Sequence, residues 1–200
     1  AGTISQPPDA PVRSILWQPA RPVAGLNTSV DEYEPKYSPD GTMMVFVRRK
    51  PGRNADLFTS RWSPAGWSTP EAIAALNSGA DELGPEIASD GESLHFYSDR
   101  AGGRGGYDLW VSHRANNEWT TPQNMGDGVN TEFNEYGPAL TPDRRTLFFS
   151  SNRPRAGEEM PPVTPWDATM RERHARHDYD LFQANMHGGA AEGARPVEWA

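Results

Sequence analysis

The sequence predicts an all-β chain assembled from repeated four-stranded units, and three observations carry that prediction. Glycine and proline each fill 19 of the 200 positions, a density that helix interiors do not tolerate. Seven Trp, six Tyr and seven Phe supply burial area that a disordered chain lacks. The third observation is an internal repeat. Residues 27–41 (NTSVDEYEPKYSPDG), 77–91 (NSGADELGPEIASDG) and 130–144 (NTEFNEYGPALTPDR) align without gaps.

Counted from each leading Asn, Glu recurs at +5 (Glu32, Glu82, Glu135), Pro at +8 (Pro35, Pro85, Pro138) and Asp at +13 (Asp40, Asp90, Asp143). An aromatic residue recurs at +19 (Phe46, Phe96, Phe149), and a Trp precedes each copy (Trp17, Trp67, Trp119). Downstream, each copy reaches Asp-Leu-aromatic: Asp56-Leu57-Phe58, Asp108-Leu109-Trp110 and Asp180-Leu181-Phe182. The distance to that motif varies, so register is rigid up to the aromatic and elastic beyond it. A unit of about 50 residues falls in the range of propeller blades.

Each unit reads as four strands, A to D. Strand A covers 33–38 in the first copy, and the Pro-Asp-Gly after it signals a tight turn. Strand B covers 43–48, 93–98 and 146–151, followed by variable B-to-C loops at 50–55 and 100–106 in the first two copies. Strand C carries Asp-Leu-aromatic, and strand D begins near the Trp. Four short antiparallel strands per repeat, with turn residues between them, are the cue for a β-propeller. Residues 17–27 repeat 67–77, so the chain opens on the D strand of an earlier blade. The expected organisation is an N-terminal extension, 1–16, and a partial propeller, 17–200. Its blades fall at 27–76, 77–129 and 130–199, the last with an insertion at 155–176. Three blades and a leading edge strand fall short of the roughly four to eight that close a ring. The remaining blades or a fused domain are expected outside this segment.

Ser-Pro-Asp-Gly at 38–41, Phe-Tyr-Ser-Asp-Arg-Ala-Gly-Gly at 96–103 and Gly-Gly-Tyr-Asp-Leu-Trp at 105–110 resemble the WD40-like β-propeller repeat of the TolB type. The pattern is similar to the bacterial envelope subgroup often joined to an OmpA-like domain. That resemblance spans residues 17–199 and implies a propeller in a periplasmic, cell-envelope or secreted protein. One departure is Arg144, which stands where the other copies carry the turn Gly and is strained if that position needs positive φ.

Composition narrows the function. A net charge of -8 disfavours binding to a phosphate backbone. With no Cys, disulfides, thiolate chemistry and Cys-ligated metals drop out. The longest apolar run, Met43-Met44-Val45-Phe46-Val47, is far shorter than the roughly 20 residues of a membrane span, so no membrane insertion is expected. A start at Ala1 suggests a removed leader or an excised piece. The sequence carries no Gly-x-Ser-x-Gly, His-Glu-x-x-His, phosphate-binding or dinucleotide motif, so neither catalytic residues nor a cofactor are assigned.

In a four-stranded blade the D-to-A and B-to-C connections share one face, and variable loops on a rigid scaffold are where binding usually resides. The candidate binding residues are therefore Asp31, Glu32, Asp81, Glu82, Asn134, Glu135, Arg100 and Arg153. On the functional reading the Glu residues form an acidic ring that draws a cation or a basic peptide; a third reading has the acidic pore hold calcium for stability only. On the structural reading each pairs with the basic residue at +23 (Lys50, Arg100, Arg153) or caps backbone amides. Asp56, Asp108 and Asp180 most simply accept loop amides, and the Trp and Phe series belong to inter-blade packing. His174, His177 and Asp178 form the one metal-like cluster, opposed by Arg171, Arg173 and Arg176. The function expected is a non-catalytic interaction module for a protein, peptide or glycan. The alternative is a propeller that gates or orients substrate for an enzyme domain elsewhere.

Overall fold

A computed structural model of the chain describes residues 19–49, 51–52, 54–154, 179–187 and 190–198. These form three antiparallel sheets in succession. The first holds β1 (Asp31–Tyr37), β2 (Met43–Arg49), β3 (Ala55–Ser63), β4 (Gly66–Trp67) and β5 (Glu71–Ala72). The second holds β6 (Glu82–Ile87), β7 (Ser93–Ser98), β8 (Asp108–Ala115), β9 (Glu118–Trp119) and β10 (Gln123–Asn124). The third holds β11 (Glu135–Leu140), β12 (Thr146–Ser151), β13 (Asp180–His187) and β14 (Ala190–Pro196). The chain is an incomplete β-propeller. Strand D is split in the first two blades, because Pro70 and Pro122 interrupt the ladder between β4 and β5 and between β9 and β10. Arg21 and Pro22, the counterparts of β5 ahead of the first blade, join no ladder.

The repeated Pro and Asp now have physical roles. The A–B pairings slip register between Tyr33 and Lys36, Leu83 and Glu86, and Tyr136 and Ala139. The residue before each Pro takes a left-handed backbone: Glu34 (φ 52), Gly84 (φ 58) and Gly137 (φ 58). The Pro thus sits in a bulge of the edge strand, where its missing N–H breaks no ladder bond. In each A-to-B turn the Asp carboxylate accepts the N–H two residues on, at 3.0–3.1 Å for Asp40, Asp90 and Asp143. Gly41, Gly91 and Arg144 close the turns with φ of 71, 75 and 59. Each donates its N–H over 2.8 Å to the carbonyl three residues back. The third turn is therefore built like the others, and Arg144 carries the left-handed strain.

Packing runs between blades. The first core joins Val45, Val47 and Leu57 of the first sheet to Leu94, Phe96 and Trp110 of the second. The second joins Leu109 to Leu147, Phe149 and Phe182 of the third. A polar bracket locks each union. The side-chain amide of Asn77 accepts the Leu57 N–H at 2.8 Å and donates to its carbonyl at 2.9 Å. Asn130 treats Leu109 identically, at 2.8 and 2.9 Å. Alongside, Asp81 accepts the Ala55 N–H and Asn134 the Tyr107 N–H, at 2.8 and 2.9 Å. The Trp residues lie further out than expected. Trp67 and Trp119 are half-buried because each sits at the tip of a C–D hairpin, and Trp17 lies outside the described residues.

Gly84→Ala tests the bulge, since an added Cβ would strike the Tyr97 ring from a left-handed backbone. A loss of about 2 kcal/mol is expected in urea unfolding, against little change for Gly79→Ala, which has open space.

Candidate functional site

The recurring Glu residues are inward staples. Thr28, Ser78 and Thr131 each donate a backbone N–H (2.9–3.1 Å) and a hydroxyl (2.5–2.6 Å) to Glu32, Glu82 and Glu135 respectively. A guanidinium completes each set: Arg48 at 3.0 Å, Arg100 at 2.9 Å and Arg153 at 3.0 Å. The same guanidinium donates to the carbonyl of Leu26, Leu76 or Val129 and lies 4.6–5.6 Å from two ring centroids. In the first blade the partner is Arg48, two residues earlier than expected, and Lys50 lies outside the described residues. Arg48 replaces the serine that buttresses the carboxylate elsewhere, Ser98 or Ser151. A guanidinium from a different strand position reaches the same spot.

Burial differs among the staples. Glu82 and Glu135 are fully buried. Burial pushes the Glu82 carboxyl up, against its Ser78 bonds and Arg100, and lowers Arg100 and Arg153. Glu32 is more open: burial still opposes its charge, but the Thr28 bonds and Arg48 hold it below the usual range. Of the other candidates, Asp81 and Asn134 serve the inter-blade bracket. Asp31 is exposed, and its carboxylate makes no hydrogen bond among the described residues. Asp108 accepts the Arg104 and Gly105 amides at 2.9 and 3.2 Å. His174, His177 and Asp178 lie outside the described residues, among which no group of three or more His, Asp or Glu could hold a metal.

What the repeat did not reveal is a tyrosine cluster on the same loop face. Tyr136 stands at its centre, with ring centroids 5.0 Å from Tyr97, 5.2 Å from Tyr107 and 5.3 Å from Tyr179. Tyr97 donates to Glu34 at 3.2 Å and Tyr107 to Asp81 at 3.1 Å. Burial, reinforced by those carboxylates, raises both phenols, and burial with the Tyr179 hydrogen bond raises Tyr136. Glu34 also accepts the Gly84 N–H at 2.7 Å, so its left-handed backbone aims a carboxylate across two blades. The counterparts of Tyr97 are Val47 and Ser150. Its signal was the departure from the repeat.

The opposite face holds a cavity of about 360 Å³ between the second and third sheets, lined by Asp90, His95, His113, Asp143, Arg144 and Met186. Arg144 pairs with Asp90 across it. His95 is buried and its Nδ1 has no hydrogen-bond partner. Burial, then the nearby His113, pushes its pKa down to about 4.

These blades superpose on known propellers. The fold matches that of TolB-type structures. Against a putative TolB from Agrobacterium tumefaciens the TM-score is 0.56 at 15% identity, covering 85% of this chain and 50% of that one. Against TolB from Acinetobacter baumannii it is 0.51 at 15% identity, covering 84% and 33%. A puromycin-hydrolyzing peptidase from Mycobacterium tuberculosis gives 0.52 at 14% identity, covering 88% and 24%. The chain thus spans half or less of these structures, and at such identities the likeness shows the fold alone. No family model and no curated protein matches the sequence.

Two outcomes follow. Glu135→Ala leaves the Arg153 guanidinium buried without its partner and is expected to cost about 3–5 kcal/mol in urea unfolding. For His95 the unfolded chain binds the proton first as pH falls, so stability is present above pH 6.5 and lost towards about 4. Up to about 3 kcal/mol is at stake. His95→Phe, which installs the residue type of Phe148, should flatten that part of the pH profile.

Proposed function

We propose that the chain is a non-catalytic propeller module that binds a protein, peptide or glycan through the face carrying the D-to-A and B-to-C loops. The observation that carries this reading is the tyrosine cluster. Tyr presents a large, stiff, amphipathic surface at low entropic cost, which is why it is enriched where proteins bind. Glu34, Asp81 and Asp99 fringe the cluster, and with the net charge of -8 they favour a partner segment that is basic. The described residues contain no helix long and apolar enough to cross a membrane. The resemblance to envelope repeats supports a periplasmic, cell-envelope or secreted location for the module.

The likeness to a peptidase's propeller favours one second reading, a blade set that gates substrate for an enzyme domain beyond residues 1–200. A catalytic motif in adjoining coding sequence would favour it over the binding module.

Pull-down from a bacterial envelope extract, followed by titration of the recovered partner, tests the proposal. Tyr179, 51% exposed, can be changed without opening the core. Tyr179→Ala is expected to weaken binding at least tenfold, while Glu92→Ala on the far face leaves it unchanged. Recovery of nothing above background, or equal binding by Tyr179→Ala, would overturn the proposal.

A further inference from the structure

The two unions between blades are not equally filled. At the first, the Arg114 guanidinium reaches back from strand C of the second blade to 3.7 Å from the Met43 sulfur, and Val45 is fully buried in the core. Counted along the repeat, the second union carries Ser93, His95 and Met186 at the places of Met43, Val45 and Arg114. A shorter wall residue and a shorter filling side chain leave space. The cavity of about 360 Å³ lies there, lined by all three. That size falls within the range of small-molecule sites, about 300–1,000 Å³.

The groups around this space are not the ones that folding alone requires. Val45 and Phe148 show that the His95 position accepts an apolar side chain. His95 is only 2% exposed, with Nε2 3.3 Å from the Ser93 hydroxyl and no partner for Nδ1. A buried polar atom left unpaired opposes folding. In the tautomer whose Nε2–H donates to Ser93, Nδ1 is a bare acceptor. The nearby His113 ring makes no hydrogen bond among the described residues. Asp143 at the rim has spare capacity too. Its Oδ1 accepts the Thr141 hydroxyl and the Arg145 N–H, at 2.6 and 3.1 Å. Its Oδ2 accepts nothing among the described residues, because Arg145 stands where Thr42 offers a hydroxyl to the Oδ2 of Asp40. The Oδ2 of Asp90 is taken by Arg144, and Ser89 ties the same two turns by donating its hydroxyl to the Pro142 carbonyl at 2.6 Å.

We propose that this cavity binds a small aliphatic amine, with Asp143 as counter-ion to the ammonium and Leu140 and Met186 against the hydrocarbon chain. The uncommitted groups decide the sign of the ligand's charge. Asp143 Oδ2 and neutral imidazole nitrogens accept hydrogen bonds, and an ammonium brings donors and no acceptor. Arg144, the guanidinium in the lining that could hold an anion instead, is already paired with Asp90. Ala88, Leu140 and Met186 supply an apolar wall for a short chain. The cavity lies on the face opposite the tyrosine cluster, so amine binding there is independent of any partner bound by the tyrosines.

Isothermal titration of the 200-residue chain with hexylammonium tests it, at about pH 8, where imidazole is neutral and an alkylammonium is still charged. One site per chain is expected, with a Kd of about 1 mM or tighter. Hexanoate and hexanol, of similar size without the cationic head, should bind at least tenfold more weakly. Asp143→Asn keeps the accepting oxygen of the turn and should weaken the amine about tenfold. Asp40→Asn, the same change in the first blade's turn, should leave the affinity unchanged. Met186→Arg, which copies the filling side chain of the first union, should abolish binding, and circular dichroism checks that each variant is folded. Absence of saturable binding, or hexanoate binding as tightly as the amine, would overturn the proposal. Unchanged affinity in whichever of Asp143→Asn and Met186→Arg is folded would do the same.

Discussion

A blade that is apolar on both faces cannot be stable alone, and everything else in this chain follows from that. Val45, Val47 and Leu57 on one side of the first sheet, with Phe46 and Phe58 on the other, leave no solvent face along the inner strands. Each sheet must therefore be covered twice, and where two sheets meet among the described residues the cover is the neighbouring copy of the same repeat. Dispersion and burial alone would tolerate slippage between two such surfaces. The Asn bracket does not, since its amide must meet both the N–H and the carbonyl of one particular leucine. Directional hydrogen bonds thereby set the register of an otherwise non-directional contact.

The Glu–Arg staple fixes the other end of the blade. A buried carboxylate and guanidinium contribute little net stability when compared with well-packed apolar side chains. Here the pair does something apolar side chains cannot. Its carboxylate takes the orphan amide and hydroxyl of the D-to-A turn, and its guanidinium takes the carbonyl before the repeat's Asn while lying over two aromatic rings. Loop, strand B and strand C are thus tied at one point. The first blade shows that the point, not the residue position, is what matters. Arg48 reaches it from strand B where Arg100 and Arg153 reach it from the loop beyond.

The repeat made most of this legible. The repeat places strand B at 43–48, 93–98 and 146–151, and the strands run Met43–Arg49, Ser93–Ser98 and Thr146–Ser151. These are short, apolar runs pinned by an Asp turn on one side and an aromatic in fixed register on the other. The bulge at Glu34, Gly84 and Gly137 was not legible, although Pro35, Pro85 and Pro138 marked it, because a proline in a strand pattern signals an irregularity without its geometry. The exchange of Arg48 for Lys50 was hidden too. Linear spacing cannot show that two positions on one strand end converge on the same carboxylate.

The tyrosine cluster escaped for a different reason, which bears on where function resides in repeat proteins. Searching for what recurs finds the scaffold, because every blade must solve the same packing and turn problems. Residues that differ between blades at equivalent positions are free of those demands. Tyr97 stands where the other blades have Val47 and Ser150, and His95 where they have Val45 and Phe148. Glu34 and Arg144 stand where the other copies have Gly, at a left-handed backbone that costs each about 1 kcal/mol or more. Both strained residues reach across to the neighbouring blade, Glu34 to Gly84 and Tyr97, Arg144 to Asp90. One lies beside the tyrosines and the other at the polar cavity, so the exceptions to the repeat gather at two places between blades, one on each face. Of the two, the tyrosine face is shaped by side chains that stay amphipathic and half-exposed, whereas the cavity holds the Arg144–Asp90 pair and His95, which burial keeps neutral.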